Sequence, residues 1–474
     1  MLRENSSISS IQNILIFSIL VLGSIVGIYL GFKGSYSLII GAILGLIFLF
    51  LTITKPWIAI AAFFILIPLE NLYVLEGGFT STLTKLMGAY LIFIVIISGS
   101  LKYLHEVFKN KKVLWILLFG AVGLISVLVS KNTAQSFKFV VTLWLSIVLY
   151  VVFIMMIRNT KTLNMATLAI LTGAVLSVLS PLVLGFGRVS GYLWQRYGGL
   201  WGDQNEFAAI LLVLIPISLT LFYISKNRVL KIILAFYSVV LLIGFVLTYS
   251  RGGFTAFGVM IILGLFKLVK GQNRTKILAI AIPCLIVAFI AFYYTFADEF
   301  ITRMETLRVL ESPESVRAES SLARRYYYYF ELSPKLFIEH PILGVGYRGF
   351  QFHNIYNQIT HNTFLEVLTG TGLLGFIPFI MILFLTWKEL RRVEFIAQNN
   401  ENQIYLTSYA NALELGFLSY LVAGLFISLD IDKMMWLSIT LSAVLMNITR
   451  IQLLTLNRKP HEQMGSPYQG YVKF

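Results

Sequence analysis

The sequence predicts an all-α polytopic membrane protein with 12–14 transmembrane helices and one large, partly helical external loop. Three observations carry that prediction. Of the 474 residues, 58% are hydrophobic and only 12% are charged, about half the charged share of a soluble domain. A soluble globule of this size would need more polar surface than this composition supplies. The apolar residues fall in runs of about 20, the length that crosses a bilayer as helix, and show none of the alternation of a transmembrane barrel.

The spans are expected at about 8–31, 36–54, 56–69, 82–100, 112–130, 138–157, 163–186, 205–224, 229–248, 252–270, 276–297, 362–387, 408–428 and 433–453. The first is too long for the apolar core of a cleaved leader and is expected to stay as a helix. The short run at 56–69 is expected to form a bent pair with its predecessor about Lys55 and Pro56, because proline removes a helical donor and crowds the preceding turn. Four units follow: helices over 1–297, an external loop over 298–361, three helices over 362–455, and a tail over 456–474.

The net charge of +15 is read as orientation. With the large loop set aside, Lys and Arg number 22 on the N-terminal side of the membrane and 8 on the other. Short cytoplasmic loops collect such residues, so both termini are expected in the cytoplasm. No basic patch interleaved with aromatics points to nucleic acid. The one cysteine, Cys284, lies in an apolar run, so neither a disulfide nor a thiolate metal cluster is expected.

The loop 298–361 departs from the rest. It holds eight acidic and seven basic residues, three of the five histidines and the run Tyr326–Tyr327–Tyr328–Tyr329. A loop this long is usually functional or disordered, and this one is too aromatic for disorder. Residues 321–339 read as an amphipathic helix interrupted near Pro334.

Three stretches on that face could carry chemistry. Ser250-Arg251-Gly252-Gly253 breaks two apolar spans, with glycines that admit close backbone approach. Arg324-Arg325 leads into the tyrosines and on to His340-Pro341-Ile342-Leu343-Gly344-Val345-Gly346-Tyr347-Arg348-Gly349. His361-Asn362-Thr363-Phe364-Leu365-Glu366 opens the next span. Singly, each is equally compatible with interfacial packing. Together, paired guanidiniums and one titratable base suit transfer from a lipid diphosphate.

Two further patterns are set aside. Gly344–Gly349 matches GxGxxG without a preceding strand. Asp430-Ile431-Asp432 resembles a metal-binding acidic pair but reads as a solvated turn, so replacing both aspartates is expected to leave activity intact.

These segments resemble the bacterial O-antigen ligase and O-antigen polymerase superfamily: the Ser250-Arg251-Gly252 motif, Arg325 followed by His340–Gly346, and His361–Glu366 with Gly372-Leu373-Leu374-Gly375. Gly199-Leu200-Trp201-Gly202-Asp203-Gln204-Asn205-Glu206 resembles another outer-loop motif of that group. The resemblance covers about 195–390. It implies a glycosyltransferase of the bacterial cytoplasmic membrane that needs no metal or other cofactor. His361 would be the base, and Arg251 with Arg325 or Arg324 would hold the diphosphate. Asn362, Glu366, Asn205, Arg196 and Tyr347 would support them, and the tyrosines would stack on sugars. The implied partners are a polyprenyl-diphosphate-linked glycan donor, a glycan or lipid-core acceptor, the bilayer and other polysaccharide-assembly proteins. The competing reading is a lipid-linked oligosaccharide flippase, whose coupling residues would sit at mid-membrane. Glu366 and Glu414 are nearly the only ionisable residues expected there.

Overall fold

The computed structural model describes residues 36–72, 83–184, 197–269, 324–398 and 404–463. They form helices and connecting turns, with no β-sheet among them. The helices are α1 (Tyr36–Thr54), α2 (Trp57–Leu66), α3 (Leu83–Ile97), α4 (Lys111–Ser126), α5 (Thr133–Met156), α6 (Thr160–Leu184), α7 (Gln204–Ile224), α8 (Arg228–Leu247), α9 (Arg251–Val269), α10 (Ser333–Glu339), α11 (Thr363–Gln398), α12 (Ile404–Ala423) and α13 (Lys433–Gln463). Among the described residues seven helices are long and apolar enough to cross a membrane, or eight when α3 is joined to the segment bent by 89° after it. This is an all-α polytopic membrane protein. The expected spans 8–31 and 276–297 lie outside the described residues, as do Arg196 and Cys284.

Local sequence sets the helix starts. Asn110 accepts from the Lys112 amide at 2.9 Å, Asn132 from Gln135 at 3.1 Å, Asp203 from Asn205 and Glu206 at 2.8 and 2.9 Å, and Asn227 from Leu230 at 3.1 Å. Each satisfies helical amides that otherwise lack partners, worth about 1 kcal/mol. The break at Lys55–Pro56 separates α1 from α2, as the proline requires.

Packing brings α7 against α8 and α12, and α11 against α4, α12 and α13. At Gly416 a Cβ would stand 2.8 Å from Val213 Cα, so glycine lets α12 and α7 meet backbone to backbone. Lys112, a loop charge by its sequence position, is fully buried instead. Its ammonium meets Glu389 at 2.6 Å, Ser442 Oγ at 2.6 Å and the Ile439 carbonyl at 2.8 Å, tying α4 to α11 and α13.

Gly372 (φ 58°, ψ −163°) breaks α11. The loop 341–346 fills that break: Leu373 N donates to the Pro341 carbonyl at 2.9 Å, Leu374 N to Ile342 at 3.2 Å, and Val345 N to Thr369 at 2.9 Å. Gly344 (φ 68°) lies so close to α11 that a Cβ would sit 2.4 Å from the Thr369 carbonyl. The GxGxxG resemblance is therefore a packing wedge.

Candidate active site

Four segments converge at one end of the bundle on the turn 424–432 between α12 and α13. The first is the start of α11. Thr363 N donates to the Gly424 carbonyl at 2.7 Å, Thr363 Oγ1 donates to Ile427 at 2.7 Å, and Asn362 Nδ2 reaches Leu425 at 3.1 Å. Asn362 Oδ1 also caps α11, accepting from Phe364 and Leu365 at 3.0 and 3.1 Å.

The second segment is the start of α9. Ser250 Oγ accepts from Gly253 N at 3.2 Å, capping the helix, and donates to Asn205 Oδ1 at 2.9 Å. Gly252 leaves room for Phe426, whose Cβ would stand 2.8 Å from a Cβ added there. Arg251, the first residue of α9, is half-buried beside this contact.

The third is the helical arm over 324–339. Tyr327–Leu332 forms a π-helical turn just before Pro334, the kind of local register change that collects at functional sites. It carries the half-buried Arg324 and Arg325. Tyr329 is turned inward, its hydroxyl 2.6 Å from the His361 carbonyl and 3.1 Å from the Leu425 carbonyl. Tyr328 is buried too, edge-on to Phe350 and donating to Asn354 at 3.2 Å. Among the four tyrosines only Tyr326 and Tyr327 face outward, so a sugar-stacking role fits these two alone.

The fourth is the loop around Arg348. Its guanidinium meets Asp430 with Nη2–Oδ1 at 2.7 Å and Nε–Oδ2 at 3.3 Å, and donates to the Ser428 carbonyl at 3.1 Å. Asp430 is 0% exposed, which corrects the expectation of a solvated turn. Asp432 is engaged as well, accepting from Tyr420 and from Met434 N at 2.7 Å. Burial disfavours the Arg348 charge, but Asp430 and Glu366 outweigh it and raise the pKa. Glu366 is buried, accepting from Thr360 N at 2.7 Å through Oε2, while its Oε1 has no partner among the described residues. Tyr347 is fully buried, edge-on to Phe119, with its amide donating to Ser126 Oγ at 3.0 Å. Among the described residues no group of three or more His, Cys, Asp or Glu could hold a metal ion.

His361 sits among these segments in a left-handed backbone conformation (φ 55°), a strained state for a residue of this kind that persists only when its surroundings hold it. The bonds from Tyr329, Asn362 and Thr363 supply that hold. Burial lowers its pKa from 6.5 to about 4. Arg325, Arg324 and Arg348 push the same way, and Asp203 partly opposes them. The result is a neutral imidazole at physiological pH with three guanidiniums near it.

Residues 236–380 match the family model for O-antigen ligase. That segment is thus similar to the O-antigen ligase family, in line with the resemblance to the O-antigen ligase and polymerase superfamily. It spans Arg251, Arg324, Arg325, Tyr347, His361, Asn362 and Glu366 and leaves Asn205 outside. No curated protein matches the chain. The sequence named Tyr329 in the tyrosine run, Asp203 in the 199–206 segment and Arg348 and Asp430 in separate stretches, but neither the inward turn of Tyr329 nor the Arg348–Asp430 pairing was indicated.

A polar cavity lies elsewhere. About 550 Å³ in volume, it is lined by Lys267, Arg391, Glu394, Asn411 and Glu414. Lys267 lies sixteen residues along α9 from Arg251, about 24 Å at helical rise. Its charges are mutually paired, Lys267 with Glu414 and Arg391 with Glu394 at 3.0 Å.

Proposed function

We propose that the chain transfers a glycan from a polyprenyl-diphosphate-linked donor to an acceptor hydroxyl at the outer face of the cytoplasmic membrane, in surface-polysaccharide assembly. The observation that carries this reading is His361 flanked by Arg324, Arg325 and Arg348, with Arg251 next to Gly252, which packs on Phe426 of the turn 424–432. His361 takes the proton of the acceptor hydroxyl, whose oxygen forms the new bond to the anomeric carbon. The bond from that carbon to the phosphate oxygen breaks, and the polyprenyl diphosphate leaves with the electron pair. Direct displacement of this kind inverts the anomeric centre.

Arg251 and Arg325, with Arg324 beside it, stabilise the charge that grows on the leaving diphosphate. Guanidiniums stay charged and match phosphate oxygens in pairs, so the reaction is expected to need no metal. Arg348 is committed to Asp430 and acts on His361 through its field. Asn362 fixes the start of α11 and Glu366 the Thr360 amide, so both act behind His361. Asn205 anchors Ser250 and thereby the start of α9.

The competing reading, a flippase for the same lipid, finds its best support in Glu414 and Lys267 within the bundle. Their pairing with each other and with Trp387 and Asn411 supports a part in holding α9, α11 and α12 together. Membranes holding the protein, given labelled lipid-linked glycan and acceptor, separate the two. The transfer reading expects a new glycosidic bond with release of polyprenyl diphosphate. Movement of intact donor across the bilayer without release contradicts it. The acceptor used in that assay, another lipid-linked unit or a lipid core, also distinguishes polymerase from ligase.

A further inference from the structure

The arm over 324–339 presents three stripes. Tyr328, Leu332 and Leu336 face inward onto Val345 and Phe350. Glu331, Lys335 and Glu339 form a charged stripe at four-residue spacing. Between them runs an exposed apolar line at the same spacing: Tyr326, Phe330, Pro334, Ile338 and, beyond the helix, Ile342. Phe330 is 67% and Ile338 76% exposed. Scattered apolar residues on a surface need no explanation, but a continuous line does.

The two ends of the arm fix its level. At one end Tyr329 is bonded to the carbonyls of His361 and Leu425, at the mouth of α11 and α12. At the other, the Ile342 carbonyl accepts from Leu374 N, past the break in α11. Leu373, Leu374 and Ile377 there are themselves exposed, on a span of mean hydropathy 2.2. The apolar line thus continues directly into the lipid-facing surface of a membrane helix.

We propose that residues 326–342 are an interfacial element whose Tyr326–Phe330–Pro334–Ile338–Ile342 line lies in the lipid leaflet at the site end of the bundle. The partner of this surface is the bilayer. The charged stripe then faces the headgroups and water, the arrangement that keeps an amphipathic helix in the interface plane. The inference rests on the membrane fold. Its consequence, that the arm seats Arg324 and Arg325 at the depth of a lipid-borne diphosphate, rests also on the proposed reaction.

Nitroxide labelling of the full chain in lipid nanodiscs tests it. In a Cys284→Ser background, single cysteines are placed by Phe330→Cys, Ile338→Cys, Glu331→Cys and Lys335→Cys, and each label is probed with oxygen and with a water-soluble nickel chelate. The ratio of oxygen to nickel accessibility is expected to be severalfold higher at 330 and 338 than at 331 and 335. Water-like accessibility at all four positions would overturn the proposal. Protection of 330 and 338 from both reagents would overturn it too, because protein rather than lipid would then cover the line. Neither readout depends on glycan transfer, so failure of the proposed reaction leaves the result intact.

Discussion

Replacing Asp430 by asparagine keeps the shape of the side chain and removes its charge. In the native protein Asp430 is wholly buried and accepts from Arg348 Nη2 at 2.7 Å and Nε at 3.3 Å. The asparagine carbonyl can keep one of these contacts, but its amide turns a donor towards the other guanidinium N–H. Leaving one member of a buried pair uncompensated costs about 3–5 kcal/mol, out of a total stability of about 5–15 kcal/mol. Glu366 remains as a second anion near Arg348, which favours the lower end of that range. At 1.4 kcal/mol per factor of ten, a loss of 3 kcal/mol is a roughly hundredfold rise in the unfolded fraction. The assay is the fraction of detergent-purified protein remaining monodisperse after a heat step, with membrane abundance measured in parallel. Asp430→Asn is expected to fail at a clearly lower temperature than the wild type. Because an apolar pair of similar volume often replaces a buried ion pair without loss, Arg348→Met with Asp430→Leu is expected to recover most of the heat resistance, with the Phe139 ring 5.8 Å from the guanidinium as a ready neighbour. Wild-type heat resistance in Asp430→Asn, or no recovery in the double variant, would refute the reasoning.

Other outcomes follow from the same site. His361 works as a base only when neutral, so kcat/KM, which reports the free enzyme, is expected to fall as pH drops through about 4. Arg325→Gln removes the largest charge holding that pKa down and is expected to move the acidic limb up by about one unit, equivalent to about 1.4 kcal/mol of relieved repulsion; an unmoved limb would contradict the placement of Arg325 beside His361. Transfer is expected to persist in EDTA, and a chelator-sensitive activity restored by a divalent ion would contradict the guanidinium clamp. Alkaline phosphatase fused near Ser320 is expected to be active and a fusion after Arg450 inactive, with the reverse pattern contradicting an outer-face site.

The membrane class and most helix starts were readable from local sequence, because span length and Asn or Asp caps act over a few residues. The break at Lys55–Pro56 was readable for the same reason. Pairings across the chain were not. Asp430 looked like a solvated acid in a short turn until Arg348, 82 positions away, closed on it. The buried pairing gives Asp430 a structural part that the local pattern did not indicate. Lys112 looked like an orientation charge, yet its partner Glu389 lies 277 positions on. The tyrosine run looked like one surface, but the helical turn sends Tyr328 and Tyr329 inward and leaves Tyr326 and Tyr327 outside. Within the site, the sequence indicated residue types able to handle a phosphate and a proton. The left-handed backbone at His361 and the Tyr329 bond to its carbonyl required the fold.

The central claim is that His361 serves the acceptor's proton while the arginines serve the donor's phosphates, and paired binding and turnover measurements on purified variants in nanodiscs test it most directly. His361→Ala is expected to bind the lipid-linked donor as the wild type does and to turn over about 10²–10⁴-fold more slowly, the usual contribution of a general base. Arg251→Ala and Arg325→Ala are expected to lose donor affinity along with turnover, since ground state and transition state both carry the phosphate charge. A His361→Ala protein of normal abundance with full turnover would contradict the account.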